Sequence, residues 1–197
     1  MREYSEKELV IFGGVLKLAQ QGATLQTITA RQIAEAAGIG KATIYDYFSS
    51  KEEIMVHALV YTMQQQIDAT NAQLAVLDSF RDKMMYILGD VINKVENSLS
   101  VFGFLNSMGN DEKIHSYFRE SGHCIMVHDI VRQIEGTLRE VIGCGRSQGA
   151  ITCTDRDYVY MAVTAALFTT GKMRTEKRIS RDRILENAYT MLIKSLN

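Results

Sequence analysis

Apolar residues in this chain recur three and four positions apart along most of its length, the spacing of one face of an α-helix, and no stretch alternates with the period of a strand. Leu9, Phe12, Leu16 and Ala19 mark the first such face. Ser5 and Glu8 precede it at capping-box spacing, each able to cover a backbone amide of the first turn, and Gly22 offers a stop. Gly13 and Gly14 interrupt this helix at roughly 1 kcal/mol apiece relative to alanine, a cost that close packing against a neighbour would offset. Thr29 is set to cap a second helix over about 30–36, with Ile33, Ala34 and Ala37 inward. Gly38 permits the positive φ of a tight turn. A short third helix over about 40–46 turns Ile39, Ile44 and Phe48 to the core. Ser50, Glu52 and Glu53 suit the start of a fourth, which keeps its spacing through Ile54, Ala58, Tyr61 and Ile67 to about Leu74 and joins the two parts of the chain rigidly.

Beyond residue 75 the stripes lengthen. Phe80, Met84, Ile87, Leu88, Val91, Ile92 and Val95 form one. "SVFGFLNSMGND" is broken by glycines and predicts a short helix only. Ile125, Val131, Ile134, Leu138, Val141 and Ile142 form another long helix, expected to end at Gly143 and Gly145. Thr154 is the expected cap of a helix over about 155–171, and a last helix spans about 180–196. The pattern predicts an all-α protein, and the absence of any proline in 197 residues agrees with it.

Composition narrows the class. With 46% hydrophobic and 23% charged residues the chain is globular rather than disordered. No apolar run reaches the ~18–20 residues of a membrane helix, and "MREYSEKELVIFGG" lacks the apolar centre of a secretory signal. A cytoplasmic location, no membrane association and reduced thiols at Cys124, Cys144 and Cys153 are the expectation. Charge is less helpful. The net charge is −1, and within residues 1–60 the cations Arg2, Lys7, Lys17, Arg31, Lys41 and Lys51 face Glu3, Glu6, Glu8, Glu35, Asp46, Glu52 and Glu53. An anionic partner must therefore be met by local placement of cations, not by bulk charge.

That placement is found in "TARQIAEAAGIGKATIYDYFSSKEE", residues 29–53. Two short helices across a glycine turn make a helix-turn-helix, whose second helix enters the DNA major groove. Gly40 and Ala42 are small enough for close approach. Lys41 and Thr43 can meet base edges, and Tyr45, Tyr47 and Lys51 can hold phosphates. Thr29 and the amides after it could take a further phosphate. The string Thr29, Ile33, Ala34, Ala37, Gly38, Ile39, Lys41, Thr43, Tyr45, Tyr47, Phe48, Ser50, Lys51 and Glu52 resembles the DNA-binding signature of the TetR (tetracycline-repressor-like) family, in detail over about residues 5–60. Three features depart from that pattern: Gly40 where Ser or Thr is common, Ala19 where an aromatic often packs, and a slightly long loop Ala23–Ile28.

The resemblance implies a helix-turn-helix domain over residues 1–50 and a helical ligand-binding and dimerisation domain over 51–197. It implies a homodimeric repressor of double-stranded DNA that a small molecule releases from a palindromic operator, with no cofactor and no catalysis. Tyr158, Ala162, Ala165, Ala166 and Thr169, with Leu185, Ala188, Leu192 and Leu196, are candidates for the dimer seam. Met84, Leu88, Phe102, Phe104, Met108, Tyr117, His128 and Phe168 are candidates for an apolar effector pocket. His123, Cys124 and His128 in "HCIMVH" raise metal or thiol sensing as an alternative, although no third metal ligand is evident. A regulator that has lost DNA reading and serves as an interaction module is a further alternative. No Ser/His/Asp or Cys/His set at catalytic spacing stands out.

Overall fold

The computed structural model describes residues 2–21, 23, 27–96, 124–175 and 179–197. Eight helices are found among them, and no strand. They are α1 (Glu6–Gln20), α2 (Ala30–Ala37), α3 (Lys41–Tyr45), α4 (Lys51–Ala75), α5 (Phe80–Glu96), α6 (Cys124–Ser147), α7 (Arg156–Thr175) and α8 (Arg181–Leu196). Gly22, residues 24–26 of the Ala23–Ile28 loop and the short helix expected near residues 100–111 lie outside the described residues. The chain forms two compact units: residues 1–65 with 98–131, and residues 66–97 with 132–197. None of the described helices is long and apolar enough to cross a membrane.

The first unit is built on α1–α3 and the first part of α4. Ser5 and Glu8 close the expected capping box: Ser5 Oγ accepts from the Glu8 amide at 3.4 Å and Glu8 Oε2 accepts from the Ser5 amide at 2.8 Å. The core comprises Ile11, Phe12, Val15, Ile28, Ile33, Ala34, Ile44, Phe48, Ile54 and Ala58. The buried face of α1 is rotated from the predicted one. Ile11 and Val15 are buried where Leu9 and Leu16 were expected, and both leucines are only half-buried. The reason lies at Gly14. A Cβ there would come within 2.8 Å of the Ile33 carbonyl oxygen and 3.0 Å of Ala37 Cβ, so α2 crosses α1 over this glycine. Gly13, one position earlier, has nothing within 4 Å of its Cβ direction.

An N-terminal clasp completes this unit. Tyr4 packs edge-on against Phe12 at 5.0 Å between centroids, and its hydroxyl pairs with His57 Nδ1 at 2.9 Å. Arg2 pairs with buried Glu8 and lies over the Tyr4 ring. Burial pushes the Glu8 carboxyl up, but the Ser5 amide and hydroxyl, with Arg2 and His57, outweigh it and hold the group below the ordinary carboxylate range.

The second unit gathers α5, the later part of α6, α7 and α8 around Phe80, Met84, Leu88, Leu138, Val141, Val163, Ala166, Leu192 and Leu196. Here α6 does not stop at Gly143 or Gly145 but continues to Ser147, and Gly149 at φ 69° makes the turn. Gly145 is used for close approach instead: a Cβ would come within 2.8 Å of both Phe80 Cδ2 and Ile151 Cδ1. In the earlier part of α6, which belongs to the first unit, Val131 of the predicted stripe is 46% exposed and Ile130 is buried in its stead. The cap of α7 is Asp155 rather than Thr154, because Asp155 Oδ1 accepts from the amides of Asp157 and Tyr158, both at 3.0 Å. That helix runs four residues past its expected end, to Thr175. The end of α8 is tied to the α6–α7 connection by Asn197, whose side chain accepts from the Thr152 amide and hydroxyl and donates to the Ala150 carbonyl.

Candidate nucleic-acid interface

Local chemistry sets the geometry of α2 and α3. Thr29 Oγ1 accepts from the Gln32 amide at 3.3 Å, while Gln32 Oε1 accepts from the Thr29 amide at 2.9 Å and hydroxyl at 2.8 Å. This is a second capping box, and the T-x-x-Q spacing that announces it went unread in the sequence. It engages the Thr29 hydroxyl within the protein. Gly38 takes the left-handed conformation at φ 69° and ends α2, and the Ile39 amide bonds back to the Ala34 carbonyl at 3.0 Å. The chain then enters α3 through Gly40, whose extended backbone caps without any side-chain bond.

Two residues anchor α3. Ile44 and Phe48 are 0% and 1% exposed and sit in the core of the first unit. Their burial, worth about 1.5–3 kcal/mol each, forces the opposite side of this single-turn helix outward. Lys41, Ala42, Tyr45 and Tyr47 are exposed, Tyr45 at 50%, and Thr43 and Lys51 are half-buried. The start of α4 fixes the far edge: Ser50 Oγ accepts from the Glu53 amide at 3.1 Å, and Glu53 Oε2 accepts from the Ser49 amide at 2.7 Å. The expected Ser50 cap is thus present. The result is an outward surface of small and polar groups on a firmly seated helix, the requirement for entry into a groove about 12 Å wide.

The other candidate residues are distributed differently. Met84 and Leu88 are fully buried in the core of the second unit. His128 is exposed, and Phe168 is 58% exposed on α7. Phe102, Phe104, Met108, Tyr117, His123 and the Cys124 side chain lie outside the described residues. Among the described residues no group of three or more His, Cys, Asp or Glu could hold a metal, and Cys144 and Cys153 are free.

Of the seam candidates, Tyr158, Ala165 and Thr169 are exposed on α7, and Ala162 and Leu185 are half-buried. Ala166, Ala188, Leu192 and Leu196 are buried in the core of their own unit. The helical period explains the split: each of these two helices is apolar over an arc broad enough for its inner side to be consumed by the core. Met161 at 69% exposure, Phe168 and Met191 join the outward side. The recurrence of Tyr158, Met161, Ala165 and Phe168 at three- and four-residue steps was available in the sequence to find it. A groove of about 130 Å³ beside this face, lined by residues including Thr169, Met173, Ile184 and Met191, is well below the ~300–1,000 Å³ of a small-molecule pocket.

A seated three-helix unit with a turn at Gly38 and an outward polar α3 defines a DNA-binding transcriptional regulator. Comparison with known proteins points to a family. Residues 19–58 match the family model of bacterial regulatory proteins, tetR family, and this match over the DNA-binding part supports assigning the chain to that family of regulators. No curated protein matches the sequence. Solved structures share the fold across nearly the whole chain. A TetR transcription regulator from Haloarcula marismortui superposes with a TM-score of 0.67 at 18% identity, covering 98% of this chain and 97% of its own. The fatty acid degradation regulator FadR of Bacillus halodurans gives 0.66 at 14% identity, with 98% and 97% coverage. FadR of Bacillus subtilis, solved in complex with stearoyl-CoA, gives 0.65 at 13% identity, with 96% and 97% coverage.

Proposed function

We propose that this regulator is a homodimeric repressor that binds a palindromic operator through α3 and leaves it when the domain beyond residue 50 takes up a small, largely apolar effector. The observation that carries the reading is the outward face of α3, small and polar opposite the buried Ile44 and Phe48. In it Lys41 and Thr43 read base edges, while Tyr45, Tyr47 and Lys51 hold phosphates and fix the register. Gly40 and Ala42 let the helix approach closely.

Pairing follows from size and from surface. One turn of recognition helix buries too little to specify a site alone, whereas two copies ~34–36 Å apart read successive grooves. The apolar residues Tyr158, Met161 and Phe168 on α7, with Met191 on α8, favour a seam of four helices about a two-fold axis. An apolar effector is in keeping with the stearoyl-CoA held by the B. subtilis protein of the same fold. It would act by preferring one arrangement of the effector domain, and its influence is limited by its differential affinity for the two states.

Selecting bound fragments from random duplex DNA tests the reading. Enrichment of an inverted repeat, with affinity falling steeply as salt rises, is the expected result. Failure to enrich any sequence would remove it. Sedimentation of Met161→Glu tests the seam separately: a monomer is expected, and an unchanged dimer would move the interface elsewhere.

A further inference from the structure

The first helix of the motif carries a charge pair that the groove-reading account leaves unused. On α2, Ala30, Ile33 and Ala34 are buried, while Arg31, Gln32 and Glu35 point away from the core beside Thr29. Thr29 and Gln32 are engaged with each other in their capping box. Arg31 is the one cation of this helix and Glu35 its one anion. Arg31 Nε donates to Glu35 Oε1 at 2.8 Å, with the two side chains 77% and 62% exposed.

In a helix-turn-helix the first helix crosses the DNA backbone while the second enters the groove. A guanidinium on the outward side of α2 therefore meets phosphate, and a carboxylate one turn further on has the wrong sign for the same position. We propose that Arg31 is a backbone anchor and that Glu35 competes with phosphate for it, so that binding exchanges a carboxylate for a phosphate oxygen. The inference rests on the DNA-binding reading above and adds a specificity device to it.

The physical consequence concerns loose binding. Sequence-independent affinity comes almost entirely from cations meeting phosphates. On arbitrary DNA, where α3 finds no matching base edges and the register wanders, Arg31 stays with Glu35 and contributes little. On a matching site the base contacts fix the register, a phosphate is held opposite Arg31, and the exchange goes through. The near balance of charge in residues 1–60 is then functional, because it lowers affinity for the large excess of competing sites more than for the correct one.

Three proteins decide this: the full-length chain, Arg31→Gln and Glu35→Gln. Each is titrated over a range of salt with the duplex selected from the random pool and with a random-sequence duplex. Both side chains are largely exposed, so the variants keep the fold, which circular dichroism verifies. Arg31→Gln is expected to weaken binding to the selected duplex and to reduce its salt slope by about 0.9, the value for one phosphate contact. Glu35→Gln is expected to raise affinity for the random duplex several-fold, and for the selected duplex by less, so the ratio between them falls. A merely structural pair would leave the salt slope unchanged. An unchanged slope in Arg31→Gln, or an unchanged ratio in Glu35→Gln, overturns the inference while the DNA reading stands. If the unsubstituted protein binds neither duplex in a salt-dependent way, the DNA reading itself has failed.

Discussion

Two neighbouring glycines in α1 should respond to the same substitution with opposite signs. At Gly13 an added methyl meets nothing within 4 Å, so Gly13→Ala is expected to stabilise the first unit by about 0.5–1 kcal/mol through helix propensity alone. At Gly14 the same methyl would sit 2.8 Å from the Ile33 carbonyl oxygen and 3.0 Å from the Ala37 amide nitrogen. These are backbone atoms of α2 and cannot swing aside as a side-chain tip can. Relief requires α2 to move off α1, an overpacking cost of roughly 1–3 kcal/mol. Contacts from two residues at once favour the upper part of that range. Subtracting the propensity gain of about 1 kcal/mol leaves Gly14→Ala destabilising by roughly 1–2 kcal/mol. Urea unfolding followed by far-ultraviolet circular dichroism gives the overall effect. Amide hydrogen exchange in α1 and α2 localises it, which matters in a protein of two compact units. Gly14→Ala should also weaken DNA binding, since α3 is carried by α2. Equal stability of the two variants would refute the close-approach account of Gly14.

The remaining predictions concern the site and the clasp. Lys51→Ala and Tyr47→Phe should weaken binding to all duplexes alike, whereas Lys41→Ala and Thr43→Ala should change the preferred sequence, by about 1–3 kcal/mol at the affected base pair; fragment selection with each variant distinguishes the two behaviours. Gly40→Ser should tighten binding a few-fold by adding a cap and a hydroxyl, because the new Cβ meets only Thr43 Oγ1, at an ordinary 3.5 Å; looser binding in equilibrium titrations would contradict this. Glu8 is held below its unfolded value, so its stabilisation is fully present above about pH 4.3 and is lost as pH falls through the lower folded value. Thermal melts between neutral pH and pH 3 should show that loss in the native protein and a shallower one in Glu8→Gln.

What the sequence disclosed is what short-range chemistry decides. The Ser5–Glu8 box, the Thr29 cap, the left-handed Gly38 and the inward Ile44 and Phe48 each depend on residues a few positions apart, and all are found as read. The failures share a cause of the opposite kind. The glycine pair of α1 announced close packing, and Gly14 supplies it, but the face that this contact with α2 turns inward was not legible from α1 alone. Gly145 reads as a helix stop, yet it continues α6 because Phe80, distant in sequence, packs where a side chain would go. Thr154 and Asp155 are both good caps by type, and only the path of the chain selects Asp155. On α7 the apolar residues were legible, but which of them the core would consume was not. Ala166 is buried, and Phe168 is 58% exposed.

The outward stance of Tyr45 has a practical use. The chain contains no tryptophan. Replacing this half-exposed ring with an indole would give the molecule a single such fluorophore, seated where the double helix is expected to arrive. Its emission would then follow docking and release in real time, without a dye attached to either partner.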